Sequence, residues 1–290
     1  MKAAAVDDAL LRAWPLPPPD QDGDKESRGR VLVVAGSREI PGAAVLAATA
    51  VLRAGAGKLV VATAQSAWQT VAAALPEARV IALPESDGGG LRLQGLEQLA
   101  PCAADTACVL VGPGMTDAEA TRAFVEGLLP LFAKASVVLD ALAMDCVLGG
   151  RRFTQPVILT PHAGEMAHLI GTDKDEVLAD PLALAARHAA GWHAVVALKG
   201  ATTCIAGADG RAWRHTSQTP GLATSGSGDV LAGVIAGLAA RGATPEQSAV
   251  WGVALHSRAG EQLARRSGSV GYLARELAAQ LPALMDALAR

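Results

Sequence analysis

The residues best placed to do chemistry are Gly226-Ser227-Gly228-Asp229, set between Thr224-Ser225 and the apolar run that starts at Val230. Glycines at 226 and 228 let backbone N–H groups converge without side-chain obstruction. A helix opening there adds partial positive charge at the same point. Gly226, Ser227 and Gly228 thus form a candidate anion hole suited to a phosphoryl group, and Asp229 beside it is a candidate general base. The plain alternative is that Asp229 only caps the helix, a role aspartate favours.

Four more loops of this kind follow apolar strand-like runs. Val195–Leu198 ends in Lys199-Gly200-Ala201-Thr202-Thr203, which reads either as a ligand loop beyond a strand's carboxyl end or as a solvated lysine at a strand end. Leu159-Thr160 leads into Pro161-His162-Ala163-Gly164-Glu165. There the Pro-His pair with Glu165 three residues on puts both polar side chains near one helix end; the alternative is that Thr160 and Glu165 are helix caps and His162 an ordinary turn residue. Gly36–Ala44, containing Pro41-Gly42-Ala43, and Gly112-Pro113-Gly114 complete the set. Two better-known nucleotide motifs are absent. Asp117 stands where a dinucleotide fingerprint needs its third glycine, and Leu52 and Leu59 stand where a P-loop needs glycine and Ser/Thr.

The elements that must hold these loops are legible as alternating runs. Strands are predicted at Val31–Ala35, Lys58–Thr63, Ala78–Leu83, Ala107–Val111, Ser136–Asp140, Val157–Thr160, Ala194–Leu198 and Thr203–Ala206, with helices such as Ala43–Ala54, Gln65–Leu75 and Asp117–Leu129 between them. Strands apolar on both faces and separated by helices imply a mostly parallel α/β sheet covered on both sides. Ala208-Asp209-Gly210 reads as a hairpin turn, with Arg211–Arg214 returning. Helices are predicted at Val230–Arg241, Pro245–Arg265 and Gly271–Leu288, the last broken at Pro282. Residues 1–28 read as an N-terminal arm, because Pro15, Pro17, Pro18 and Pro19 oppose helix and Asp20–Arg28 is polar. Residues 29–290 are expected to form a single domain.

Composition excludes several classes. A net charge of -3 with no basic face argues against nucleic acid. No uncharged apolar run reaches the roughly 18 residues of a membrane span, and Asp7 and Asp8 interrupt any signal-peptide core, so a soluble cytoplasmic protein without membrane contact is expected. Cys102, Cys108, Cys146 and Cys204 fit neither zinc nor disulfide spacing and read as buried small hydrophobes.

Taken together, Gly36–Ala44, Thr-Pro-His-x-Gly-Glu at 160–165, and Lys-Gly-x-x-Thr with Gly-x-Gly-Asp between Lys199 and Asp229 resemble the ADP- or ATP-dependent NAD(P)H-hydrate dehydratases. That family is a branch of the ribokinase-like superfamily, and the resemblance runs from about Gly29 to Leu281. It implies a ribokinase-like fold and dehydration of the S-epimer of hydrated NADH or NADPH (NADHX, NADPHX), a repair of damaged cofactor. By position, Ala43, Gly114, His162 and Asp229 would meet the hydrated substrate. Lys199, Gly200, Ala201, Thr202, Thr203 and Gly228 would line the AMP portion of the nucleotide.

The resemblance further implies ADP as phosphoryl donor, with ATP the other candidate, Mg²⁺ on the polyphosphate, and a homo-oligomer such as a tetramer. Some members are fused to an epimerase, which implies a functional link to an NAD(P)HX epimerase. Two departures stand out: Ser225 replaces a frequent glycine, and Leu142 replaces a second aspartate after Asp140. The rival readings are a ribokinase-like kinase for a thiazole or hydroxymethylpyrimidine alcohol and an idle nucleotide-binding protein.

Overall fold

The computed structural model describes residues 2–18 and 23–289. Its core is built from runs of Val, Leu and Ile that alternate between two buried layers. In β2 (Arg30–Val34), Val31 and Val33 join one apolar cluster, and Leu32 and Val34 join the other. The same double burial recurs in β3 (Lys58–Ala64), β5 (Cys108–Val111), β6 (Ser136–Leu139), β7 (Val157–Leu159) and β8 (Val195–Leu198). Strands buried on both faces need helices on both faces, which is the arrangement found. The edge strand β4 (Arg79–Leu83) is only partly buried.

The sheet order is β1-β10-β9-β8-β7-β6-β5-β2-β3-β4, where β1 is Ala4–Ala5, β9 is Thr202–Ala206 and β10 is Ala212–Thr216. Every pair from β4 through β8 is parallel, and β9 runs antiparallel to both β8 and β10. The mostly parallel sheet and the hairpin return are as the sequence predicts, within a residue or two.

Of the helices, α1 (Asp8–Ala13), α2 (Pro41–Arg53), α3 (Trp68–Ala74), α4 (Gly95–Leu99) and α5 (Ala118–Leu131) precede β6. Then α6 (Ala163–Ile170), α7 (Lys174–Ala179) and α8 (Pro181–Trp192) link β7 to β8, and α9 (Ser227–Ala240) and α10 (Pro245–Ser267) follow the hairpin. The expected helix from Gly271 to Leu288 is in fact α11 (Ala274–Leu277), a tight turn at Ala278–Gln280, and α12 (Leu281–Ala289). The break precedes Pro282, whose ring would crowd the carbonyl of Ala278 in a continuous helix. Among the described residues no helix is long and apolar enough to cross a membrane.

Close approach of α2 and α9 fixes the site. A Cβ on Gly233 would sit 2.2 Å from the Ala47 carbonyl oxygen, and one on Gly237 would sit 2.5 Å from that of Val51. Only glycine permits this spacing. The parallel register, 233 on 47 and 237 on 51, sets Asp229 opposite Ala43 one turn earlier.

The expected arm is packed onto the domain. β1 adds a parallel strand beyond β10, and Leu11 of α1 is fully buried. The Trp14 carbonyl accepts from the Trp251 indole at 2.8 Å, and its ring stacks on Trp213 at 5.7 Å. The prolines begin only after α1 ends, so they never opposed it. Pro19 and Asp20 lie outside the described residues.

Candidate active site

The start of α9 carries the glycine turn. Gly226 adopts φ +84°, a conformation that strains any L side chain, and a Cβ there would press on Leu46 at 2.5 Å. The helix begins at Ser227, three residues before the sequence expectation, so the glycine turn is its first turn. Asp229 is therefore at the third helical position, and Gly226 takes the cap position with no side-chain cap. The capping alternative for Asp229 falls away.

Ser227 differs from the anion-hole expectation. Its N–H is spent on the Thr224 carbonyl at 3.2 Å, so it lines the site without donating that group. Among the described residues no backbone acceptor takes the N–H groups of Gly226, Gly228 or Asp229. Those three are the donors open to an anion.

Opposite them stands Lys199, at the end of β8. Its ammonium donates to Asp140 Oδ1 at 3.0 Å, lies 3.7 Å from Glu165 Oε2, and would meet a Cβ on Gly228 at 3.4 Å. Thr160 donates to the same Asp140 oxygen at 2.7 Å. Thr160 thus holds a carboxylate and caps nothing. Burial opposes the Lys199 charge, but Asp140, Glu165 and Asp229 outweigh it and leave its pKa raised. Lys199 is a braced cation, not a solvated strand end. For Asp229, burial first and then Asp140 and Glu165 push the carboxyl up, against Lys199, to about 6.

His162 begins α6. Its Nδ1 accepts from the N–H groups of Gly164 at 3.0 Å and Glu165 at 3.1 Å, while Glu165 Oε2 accepts from the His162 N–H at 2.7 Å. The reciprocal cap fixes Glu165 beside Lys199. Pro161 accepts the Lys199 N–H at 2.7 Å, which ties the two loops together.

A cavity of about 550 Å³ opens between these loops. Lys199, Gly200, Ala201, Thr203, Gly228 and His162 line it, over a floor that includes Leu231, Val253 and His256. Thr202 points elsewhere. Its hydroxyl pairs with Thr216 at 2.9 Å and borders a separate cavity beside Arg214 and Arg258, because successive strand residues face opposite sides. Ala43 and Gly114 sit together outside that cavity's lining: a Cβ on Gly114 would lie 2.6 Å from that of Ala43. Asp229 follows Gly228 of the cavity lining and, by the α2–α9 register, lies beside Ala43.

Sequence reasoning did not single out Asp140, Thr160 or Glu165 as working parts of this site, nor His256 at all. A Pro-His-x-Gly-Glu capping pattern was the available signal for Glu165. Asp140 had its place at a strand end and in the family pattern from which Leu142 departs.

Among the described residues no cluster of three or more His, Cys, Asp or Glu could hold a metal. Asp140 and Glu165 already serve Lys199. The donor set suits a Mg²⁺ carried on a polyphosphate and touched by one or two carboxylates, not a protein-held ion. The four cysteines are buried and free, and burial pushes the Cys146 thiol up to about 12.

The family model for NAD(P)H-hydrate dehydratase matches residues 31–283, nearly the whole of this arrangement. The chain belongs to the NAD(P)H-hydrate dehydratase family. An ADP-dependent (S)-NAD(P)H-hydrate dehydratase of Xanthomonas campestris is 47% identical over 289 residues, covering 100% of this chain and 98% of that one. The ADP/ATP-dependent NAD(P)H-hydrate dehydratase of Bacillus subtilis, co-crystallised with ATP/Mg²⁺, superposes with a TM-score of 0.85 at 31% identity, covering 99% of both chains. A bifunctional NAD(P)H-hydrate repair enzyme of Moorella thermoacetica is 41% identical over 94% of this chain, which spans 53% of its length. The fold is ribokinase-like. The two departures from the family pattern lie at the edge of the machinery: Ser225 is exposed in the turn before Gly226, and Leu142 is half-buried in the tight turn at Ala141–Val147.

Proposed function

We propose that the chain dehydrates the S-epimer of NADHX and NADPHX at the expense of ADP, giving NADH or NADPH, AMP and phosphate. The observation that carries this reading is Asp229, which is not a cap, has a carboxyl raised toward neutrality, and lies beside three open backbone N–H groups with Lys199 opposite. A pKa of about 6 lets it act as a base near neutral pH.

Asp229 takes the proton of the substrate's ring hydroxyl as the hydroxyl oxygen attacks the β-phosphorus of ADP. The bridging P–O bond breaks and AMP departs. The N–H groups of Gly226, Gly228 and Asp229 and the Lys199 ammonium face the charge that builds on the transferred phosphoryl. Phosphate is a better leaving group than hydroxide. The ring nitrogen's lone pair expels it, and loss of a neighbouring ring proton restores the dihydropyridine.

AMP is assigned to the cavity lined by Lys199, Gly200, Ala201, Thr203 and Gly228, with Thr202 acting through the strand pairing beside it. The hydrated nicotinamide is assigned to the Ala43 and Gly114 side, with His162 at the junction. Mg²⁺ on the polyphosphate would neutralise its charge, with Glu165 and Asp140 the carboxylates within reach of that end; the Bacillus subtilis relative crystallised with ATP/Mg²⁺ supports this choice. ADP is the donor by likeness to the Xanthomonas enzyme. The bifunctional relatives support a functional link to an NAD(P)HX epimerase. We further infer a cytoplasmic homo-oligomer, to be weighed by sedimentation.

The test is recovery of NADH absorbance from NADHX, with ADP and ATP compared and products resolved. AMP plus free phosphate, formed only with hydrated cofactor, supports the reading. A stable phosphoester on a small alcohol would instead make the protein a kinase, and no turnover of either kind would leave a nucleotide-binding protein.

A further inference from the structure

His256 is used by no step above, yet it is built into the site. It lies on α10, is 9% exposed, and forms part of the floor of the cavity assigned to AMP. Its Nε2 lies 3.0 Å from the Ser227 carbonyl oxygen and 3.0 Å from the Ser227 hydroxyl. A carbonyl only accepts, so Nε2 must carry the ring proton. In the neutral ring Nδ1 is then a bare acceptor. It has no hydrogen-bond partner among the described residues, and it is not one of the sealed-off polar atoms, which are Thr63 Oγ1 and His215 Nε2. Burial first, and then repulsion from Lys199, hold the ring's pKa down at about 4, against the pull of the Ser227 carbonyl. The acceptor is therefore not lost to protonation at neutral pH.

An unpartnered, unsealed acceptor on a nine-tenths-buried side chain that lines a nucleotide-sized cavity calls for a donor. We propose that His256 reads the adenosine portion of the nucleotide, its Nδ1 accepting one hydrogen bond from the adenine amine or a ribose hydroxyl while its Nε2–H anchors Ser227 at the start of the phosphate-binding helix. One side chain then joins recognition of the nucleoside to the position of the anion hole. This rests on the assignment of AMP to that cavity. The chemistry required of the ligand is an N–H or O–H donor. Adenine offers one at its exocyclic amine, and the ribose offers others.

The experiment is calorimetric titration of the intact protein and of His256→Phe with three probes: AMP, 2′-deoxy-AMP, and purine riboside 5′-monophosphate, which lacks the amine. The unsubstituted protein should bind AMP roughly 3- to 10-fold tighter than one of the two analogues, the span of one hydrogen bond. In the variant AMP should weaken and that difference should vanish. A merely structural role would weaken all three probes together and preserve their ratios, which would overturn the proposal.

Equal binding of all three by the unsubstituted protein would also overturn it while leaving the AMP assignment intact. Absence of any AMP binding would sink the assignment itself. Should the variant fail to fold, ¹⁵N spectra of histidine-labelled unsubstituted protein decide. AMP should move the Nδ1 resonance of one neutral ring in the direction of an accepted hydrogen bond, and an unmoved set of histidine resonances in saturated protein would refute the contact.

Discussion

At the scale of single residues the site turns on which groups hold a proton. Asp229 carries a carboxyl raised to about 6, because burial and two neighbouring carboxylates disfavour its charge more than Lys199 favours it. As the proposed base, it is active as the carboxylate. Turnover at low substrate should therefore fall as pH drops through about 6, and Lys199→Met should move that limb to higher pH by removing the one favourable charge. A kcat/KM profile from pH 5 to 8 checks both. Asp229→Asn should fold normally and lose about 10²- to 10⁴-fold in kcat, the usual range for a positioned general base; near-native turnover would remove Asp229 from the chemistry. His162 caps α6, which only the structure revealed, in addition to its proposed contact with the substrate. His162→Ala should raise KM for the hydrated cofactor and lose an N-cap worth about 1 kcal/mol, visible as a lower Tm. Rescue of Tm by Asn at that position, without rescue of KM, would separate the two duties.

At the scale of elements, helix starts and sheet edges decide the outcome. The proposed role of the first turn of α9 requires it to lie open to a phosphate and close to Lys199. A side chain at Gly228 begins 3.4 Å from the ammonium, and the branched methyls of Val would fill the gap. Gly228→Val should abolish measurable AMP binding in calorimetry while leaving the far-ultraviolet spectrum unchanged. The helix around position 228 is regular, so the strain of a positive φ falls on Gly226 instead. At the other end of the sheet, β1 and α1 are part of the folded body. Leu11 is fully buried, and Leu11→Ala should cost about 2–4 kcal/mol in urea denaturation. An unchanged midpoint would show residues 1–14 to be detached in solution.

For the whole molecule, ligand binding and global stability are linked, because the cavity joins elements far apart in the chain: α6, the turn after β8, the start of α9 and the middle of α10. Only the folded chain assembles that set. AMP at about 100 times its Kd should therefore stabilise the native state by about 2.7 kcal/mol, or roughly 5 °C in Tm for a chain of this size. Scanning fluorimetry with and without AMP measures it. A Tm unmoved at saturating AMP would mean that the nucleotide does not select this cavity. His256→Phe should shrink the shift, which ties the whole-molecule measurement to the side chain proposed to read the nucleoside.

The amino-acid sequence by itself determined the parallel sheet, since Val-, Leu- and Ile-rich runs such as Val31–Val34 can be satisfied only by apolar layers on both sides. It also determined the glycine turn before Asp229 and the loops after the strands, because those patterns are local and backbone geometry enforces them. The tertiary structure alone decided which groups meet. Asp140 and Lys199 are 59 residues apart and His256 and Ser227 are 29 apart, and no local period relates either pair. In the N-terminal segment Asp7 is a local start signal, accepting from the Leu10 N–H at 2.9 Å, but where its strand and helix dock is decided by the β10 edge, Trp213 and Trp251. The direction in which Thr202 and Thr203 point follows from strand pairing with β10, a long-range choice that reverses with a one-residue shift of register.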